Sequence, residues 1–248
     1  MLTIHAAPLV LPVGAAPVGE GAGGGAAPVG EGAGGGVAAV GEGAGGGAVA
    51  VDGDRIAAIG PYEEVVAAHP AARVRRWPGI LTPGLRQDRA RELLTRCYHP
   101  DPREADELGE LPLWGEAFER LAATMDTARR AGSVRRGLQR MLRHGTTHVV
   151  GPFGADEPAL RTALSRSGLV QVPGRPVQVP ARPGGGPPDL DPFAAGGDLA
   201  ATAHGPLTVG GRADLAVFDV VDEAALRAGG AVHCVATVLA GRLVHRAR

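Results

Sequence analysis

Apolar and polar residues follow one another along the chain in two spacings, one typical of strands and the other of helices. Near the N-terminus, apolar runs on both sides of the Asp52-Gly53 pair predict a tight hairpin, because glycine accepts the positive φ of such a turn. A helix is predicted next, since Pro61 suits its first turn, apolar residues follow at helical spacing, and Pro70 ends it. A β-like run at 73–77 comes before the stretch ILTPGLRQDRAR.

The middle of the chain carries the clearest helical pattern. A single apolar stripe predicts a helix over residues 113–131, which Gly132 would end. Ser133 is predicted to cap a second helix that reaches Gly145. The stripe consists of Trp114, Phe118, Leu121, Met125 and Ala128.

Strand and helix patterns then alternate. Residues 146–150 and 169–172 read as strands on either side of a helical pattern at 156–166, which predicts βα units and a parallel sheet. The last part of the chain is again rich in strands, with a closing hairpin over 232–245. Two β-rich ends around an α/β middle predict that the ends share one domain into which the middle is inserted.

Residues 15–47 consist of an 11-residue unit repeated three times, AAPVGEGAGGG twice and then VAAVGEGAGGG. The glycines of each unit oppose helix formation, so the segment is predicted to be a surface loop. A phosphate-binding loop is the alternative, but the pattern GxxxxGK[ST] is absent and no helical pattern follows the repeat.

Composition narrows the function classes. The formal net charge is −1, which gives no general electrostatic attraction to nucleic acid or to an anionic membrane, so neither partner is predicted. Two cysteines make no disulfide framework, and no apolar run approaches the ~20 residues that a membrane helix needs. The N-terminal residues lack the basic start of a signal peptide. These features predict a cytoplasmic protein.

Several stretches together resemble one family. VDGDRIAAIGP, the strand that ends in ILTPGL, HGTTHVV, GPLTVGGRADLAVFDV and VLAGRLVHR resemble the amidohydrolases of the imidazolonepropionase and aminodeoxyfutalosine deaminase kind. The resemblance implies a small composite β-domain that carries a metal-dependent (β/α)8 barrel and hydrolyses carbon–nitrogen bonds.

With that resemblance, the predicted fold class is mixed α/β. Residues 1–81 and 206–248 are expected to form a composite, β-sandwich-like domain, which includes the repeat at 15–47. Residues 82–172 are expected to form a truncated βα segment, a remnant of the TIM barrel, and residues 173–205 a linker rich in Pro and Gly.

The residues that follow the strand ending in Pro83-Gly84 show whether the chain has the family's metal ligands. The resemblance implies a His-x-His pair of metal ligands at positions 89 and 91, but the chain has Arg89 and Arg91 there. A guanidinium has only hydrogen-bond donors and remains protonated, so it repels a dication instead of ligating it. Neither catalytic residues nor a metal or other cofactor are therefore predicted.

Length points the same way. A closed eight-stranded βα barrel takes about 200 to 250 residues. Only the 124 positions from Thr82 to Gly205 lie between the two β-rich ends. Without the Pro/Gly linker, that length suffices for two or three βα units. The chain is therefore too short to include the later barrel strands that would carry the remaining metal ligands.

Other His, Cys and Asp residues are candidate replacement ligands. The pattern favours ordinary buried or surface positions for them over a metal site, because a tetrahedral site normally shows two recognisable ligand pairs. An exposed acidic turn is likewise favoured for the pair at 189–191 over the family's late barrel aspartate. The groups are His144 with His148, Cys97 with His99, His233 with Cys234, and Asp189 with Asp191.

Three functions remain open. The first is a non-catalytic relative of the amidohydrolases, a pseudoenzyme that acts as a binding or structural protein; the second is a carbon–nitrogen hydrolase with a rebuilt site. The third is an anion-binding module that uses Arg86, Arg89 and Arg91, because paired guanidiniums recognise carboxylate or phosphate. A solvated helix start is the structural alternative for these arginines. The open parallel sheet of a truncated barrel further predicts a homodimer or another protein partner.

Overall fold

The computed structural model describes residues 2–13, 39–40, 45–153, 157–174 and 189–247. Within these ranges the protein is a mixed α/β structure with several separate sheets. The predicted loop at 15–47 lies outside the described residues except for 39–40 and 45–47.

The described strands are short. They are β1 (Thr3–Ala7), β2 (Leu9–Val10), β3 (Gly47–Asp52), β4 (Arg55–Pro61), β5 (Arg73–Arg76), β6 (Ile80–Pro83), β7 (Leu85–Gln87), β8 (Cys97–Tyr98), β9 (Leu113–Trp114), β10 (Thr146–Val150), β11 (Val170–Val172), β12 (Leu215–Phe218), β13 (Cys234–Leu239) and β14 (Arg242–Arg246).

The described α-helices are α1 (Tyr62–Ala68), α2 (Ala90–Thr95), α3 (Ala105–Leu108), α4 (Gly115–Ala122), α5 (Thr127–Arg143), α6 (Pro158–Ser167), α7 (Leu199–Thr202) and α8 (Glu223–Gly229). Short 3-10 helices occupy Pro102–Glu104, Pro192–Ala195 and Ala231–His233. None of the described helices is both long enough and apolar enough to cross a membrane.

The prediction of one helix over 113–131 is wrong. The chain instead forms β9 and α4, and α5 begins at Thr127 because the Asp126 side chain accepts a hydrogen bond from the Arg129 N–H at 2.7 Å. Gly132 lies inside α5 and does not end it. Ser133 is also an interior residue, and its hydroxyl accepts a hydrogen bond from the His99 N–H at 2.9 Å.

Two antiparallel-rich sheets bring the ends of the chain together. The four-stranded sheet has the order β4-β3-β1-β5, and its β3–β4 hairpin turns at Gly53 with φ of 59°, as the Asp-Gly pair predicts. The five-stranded sheet has the order β14-β13-β12-β6-β2, so strands from both ends of the chain pair within it. One apolar core joins the two sheets: Ala7, Val10, Val49, Val51, Ile56, Trp77, Leu81, Leu207, Ala213, Leu215, Val217, Ala236 and Val238.

A third sheet is parallel, with the order β11-β10-β7. Helices α2, α5 and α6 cover one of its faces with a separate apolar core that includes Leu94, Leu138, Met141, Val149 and Leu164. These are the predicted βα units.

The free edge of β7 is covered by the chain itself. Ala203 forms a β-bridge with Leu85, and the His204 N–H donates to the Gly84 carbonyl at 3.2 Å. Phe193 and Leu199 are buried in the core that contains Leu85. The described part of the segment expected to be a linker, residues 189–205, therefore contains short helices and contributes to a core.

Gly84 connects the five-stranded sheet to the parallel sheet and leaves no space for a side chain. A Cβ at this position would overlap the Thr147 side chain, whose own Cβ would be 2.7 Å away, and Thr147 is fully buried. We expect Gly84→Ala to lower the free energy of unfolding by about 1–3 kcal/mol, the usual cost of overpacking. Urea denaturation measures this. The control is Gly60→Ala, where the new methyl group would meet only Val65 at 3.6 Å; equal losses in the two variants would contradict the explanation.

Candidate functional site

A cavity of about 550 Å³ lies where β7 ends. The strand delivers Arg86 and Gln87 to its wall, and the turn into α2 adds Asp88 and Arg89. In sheets with parallel strands, this carboxyl end is where ligands bind. The facing wall is formed by Asp189, Asp191, Pro192, Ala194, Ala195, Gly197, Ala201 and Thr202.

The two cavity arginines are each held by a neighbouring carboxylate. Arg86 donates from Nε to Asp88 Oδ1 at 2.7 Å and from Nη2 to the Ala201 carbonyl at 3.2 Å. Arg89 donates to Glu92 Oε2 from Nε at 2.9 Å and from Nη2 at 2.8 Å. Both guanidiniums therefore line the same cavity with much of their charge already compensated.

Arg91, the third arginine considered from the sequence, does not line this cavity. Arg91 is the second residue of α2, and its side chain is 47% exposed. Its Nη2 is 3.9 Å from Glu157 Oε2. The structure thus brings together Arg86 and Arg89 and leaves Arg91 on the outer surface of the helix.

Gln87 fixes the geometry of the cavity wall. The side chain is 2% exposed, donates from Nε2 to the Leu190 carbonyl at 3.1 Å, and accepts from the Arg89 N–H at 3.0 Å. Because one amide holds both the start of α2 and the segment opposite, it sets the distance between the two walls. Nothing in the sequence pattern distinguishes this glutamine.

The two aspartates on the facing wall accept hydrogen bonds from backbone N–H groups. Asp191 accepts from the Phe193 N–H at 2.8 Å and from the Ala231 N–H at 3.0 Å, one bond on each carboxylate oxygen. Asp189 accepts from the Asp191 N–H at 2.9 Å. The pair builds the turn that begins the 3-10 helix at Pro192.

A second, smaller cavity of about 280 Å³ lies beside Gly84. His148 on β10 and His204 reach it, and their rings stack with centroids 3.7 Å apart and 21° between the ring planes. Asp214 and Arg212 form the adjoining wall. The backbone bridge at Ala203 places His204 over His148, an arrangement that no local sequence pattern indicates.

Electrostatics keep His148 neutral. Burial is the largest cause that lowers its pKa from 6.5 to about 3, and the positive charges of Arg212 and Arg86 and the neighbouring His204 lower it in the same direction. Partial burial also lowers the pKa of His204.

Asp214 is mainly occupied by other partners. Its carboxylate accepts from the Arg212 side chain at 2.9 Å and from the Ala240 N–H at 2.7 Å, whereas His148 Nε2 is 3.7 Å away. The cluster is therefore a neutral imidazole pair next to a compensated carboxylate.

These side chains do not fit the catalytic metal that the family resemblance implies. The nitrogen lone pairs of an imidazole lie in the ring plane, so two stacked rings direct them along parallel planes and not toward one ion. Among the residues that the structure describes, no three His, Cys, Asp or Glu side chains converge as metal ligands do. Cys97 and Cys234 are buried, and burial raises their thiol pKa values to about 12 and about 11, respectively.

Residues 47–72 match the family model of the imidazolonepropionase-like composite domain of bacteria. The resemblance is confirmed. The matched residues form the β3–β4 hairpin, α1 and the turn that follows it. No curated protein is significantly similar to the chain in sequence.

Solved structures to which the chain is similar include two deaminases and an ochratoxinase. E. coli guanine deaminase is 15% identical with a TM-score of 0.41, and the match covers 70% of this chain and 36% of that one. Helicobacter pylori aminofutalosine deaminase is 15% identical with a TM-score of 0.39, covering 70% and 33%. A. niger ochratoxinase is 15% identical with a TM-score of 0.39, covering 69% and 31%. The chain spans about a third of the length of these proteins.

The imidazolonepropionase-like hairpin and the imidazole pair lie in different parts of the fold, and only the hairpin was predicted from sequence. The sequence also offers His144 as a ligand beside His148, but His144 Nδ1 donates to the Arg140 carbonyl at 2.8 Å and does not line the cavity. The actual partner, His204, is 56 residues away in sequence and lies in the segment rich in Pro and Gly.

The lowered pKa of His148 has a measurable effect on stability. Below pH ~6.5 the unfolded chain binds a proton at His148 that the folded protein does not bind until about pH 3, so stability present above pH ~6.5 is lost as the pH falls. We expect His148→Gln to reduce the slope of unfolding free energy against pH between pH 6 and 4 by about 1.4 kcal/mol per pH unit.

Urea denaturation at several pH values measures that slope. His5 and His99, whose pKa values burial lowers to about 4, remain in the variant and contribute equally to both curves. His233→Gln removes an exposed imidazole and is the matched control. An unchanged slope in His148→Gln would show that His148 is protonated in the folded protein.

Proposed function

We propose that the protein is a non-catalytic relative of the imidazolonepropionase-type amidohydrolases, in which the composite β-domain persists as a binding or structural module. One observation carries this proposal: the two positions expected to present metal ligands hold Arg89 and Arg91. Both are engaged with carboxylates, Glu92 and Glu157, respectively.

The backbone at these positions supports the proposal as well. β7 ends at Gln87, Arg89 is the N-terminal cap residue of α2, and Arg91 lies inside that helix. Two side chains separated by one position on a helix point about 200° apart around its axis, so this local structure does not direct both toward one ion. A change of side chain alone would not restore a paired site.

We further propose that residues 1–81 and 206–248 form the composite, sandwich-like domain, that residues 82–172 are the barrel remnant, and that residues 173–205 connect the two. The apolar core shared by the four- and five-stranded sheets supports the sandwich-like arrangement. The cytoplasmic location is part of the proposal too.

We expect the purified protein to contain less than stoichiometric zinc after expression in zinc-supplemented medium and dialysis. Elemental analysis measures the metal content, and one equivalent that resists dialysis would support the alternative, a carbon–nitrogen hydrolase with a rebuilt site. The double variant Arg89→His, Arg91→His should still lack hydrolase activity, because α2 separates the two side chains and further ligands are missing. Turnover of an imidazolone or an aminopurine nucleoside by that variant would contradict the proposal.

A second candidate function is anion binding in the 550 Å³ cavity, favoured by the presence of both Arg86 and Arg89 on its wall. If this function is correct, titration calorimetry with inorganic phosphate should show saturable binding that Arg86→Gln, Arg89→Gln abolishes. The matched control is Arg91→Gln, Arg96→Gln, two arginines that do not line the cavity. Absence of binding to the unaltered protein, or equal loss in both variants, would rule out this site.

A further inference from the structure

Helix α4 carries an apolar stripe that its own chain covers only in part. Phe118 and Leu121 are spaced like the buried positions of an amphipathic helix, but they are only half-buried. Trp114, just before the helix, is 38% exposed, and Leu111 is 78% exposed. Exposed large apolar side chains beside a half-buried stripe are typical of an interaction surface.

The segment around this stripe is strongly acidic. Residues 105–126 contain six Asp or Glu residues and a single basic residue, Arg120. Glu116 and Glu119 lie on α4 itself and are exposed, next to the apolar stripe. A partner for α4 must therefore offer an apolar groove with a basic rim.

A groove of that description lies between α5 and α6. Its volume is about 610 Å³, and its floor is made of Leu138, Leu142 and Ala163. Two parallel ridges of helix side chains with an apolar floor are the usual seat of an amphipathic helix, which binds through residues at i, i+3, i+4 and i+7.

The rim of the groove carries the opposite charge. Arg135 on α5 and Arg166 on α6 line it, and both are exposed. α5 contains six arginines and no acidic residue, so the helix that forms one wall is basic along its whole length. Arg129 and Arg136 are already paired with Glu104 and Asp101, whereas the groove arginines face solvent.

We propose that the groove between α5 and α6 binds α4 of a second copy of this chain. The same chain supplies both complementary surfaces, which is the requirement for a closed two-fold dimer with two identical contacts. Only residues 123–126 separate α4 from α5, so both surfaces lie close together in sequence. Within its own chain, α4 packs against β8 and β9, and it does not line its own groove.

This interface is separate from the parallel sheet and does not depend on whether the barrel remnant is catalytic. It uses the groove between α5 and α6, whose floor residues Leu138, Leu142 and Ala163 also belong to the core that covers the sheet.

Sedimentation velocity across a micromolar concentration series tests the association. We expect a monomer–dimer equilibrium for the unaltered protein. Reversal of the rim charges with Arg135→Glu, Arg166→Glu should raise the dissociation constant at least roughly tenfold, because it places like charges opposite each other. Reversal on the helix with Glu116→Arg, Glu119→Arg should have the same effect.

Mixing the two reversed proteins gives the decisive result. In the mixture, the unaltered acidic α4 of the rim variant meets the unaltered basic groove of the helix variant. The basic α4 of the helix variant meets the acidic groove of the rim variant. We expect heterodimers to form at concentrations at which each variant alone is monomeric. Association should also shift the fluorescence of Trp114 to shorter wavelength, while Trp77, which is 8% exposed, changes little.

The control is Arg130→Glu, Arg143→Glu, which changes the charge of α5 by the same amount at exposed positions outside the groove. This variant should dimerise like the unaltered protein, and circular dichroism should show that all variants are folded. A strictly monomeric unaltered protein, a dimer insensitive to both reversals, or equal weakening by the control would each overturn the proposal.

Discussion

The backbone of Gly84 holds the three parts of the fold together. Its N–H donates to the Asp214 carbonyl in the segment before β12, and its carbonyl accepts from the His204 N–H in the segment that covers β7. Thr147 of the parallel sheet packs directly against its Cα. Because the chain leaves one sheet and enters another at this residue, any side chain here would separate the sheets from each other.

Asp214 extends the same junction toward the C-terminal strands. Its carboxylate accepts from the Ala240 N–H in the β13–β14 turn and from Arg212, whose Nη2 also donates to the Gly168 carbonyl at the end of α6. Burial of a carboxylate is costly unless hydrogen-bond donors compensate it, and here a backbone N–H and a guanidinium do so. The imidazole of His148 lies beside this arrangement, and its low pKa follows from the same burial.

Local sequence patterns could predict the parts of the fold that depend on local interactions. The Asp52-Gly53 hairpin, the helix that Pro70 follows and the helix end at Gly145 each need only a turn residue or a cap beside an apolar pattern. The break before Thr127 could not be predicted, because the apolar stripe continues across it and only the Asp126 cap distinguishes two helices from one. The stack of His148 on His204 depends on a tertiary contact with a segment whose composition resembles a linker.

Arginine in place of histidine at positions 89 and 91 goes together with a different backbone after β7. A histidine pair at positions 89 and 91 would need extended backbone that directs both imidazoles toward one ion. Here Arg89 occupies the N-cap position of α2 and pairs with Glu92. α2 begins at Ala90, shortly after β7 ends, and the Gln87 side chain accepts from the Arg89 N–H. The cavity is therefore shaped by charge pairs within its own walls. A ligand that binds these guanidiniums must displace Asp88 from Arg86 or Glu92 from Arg89.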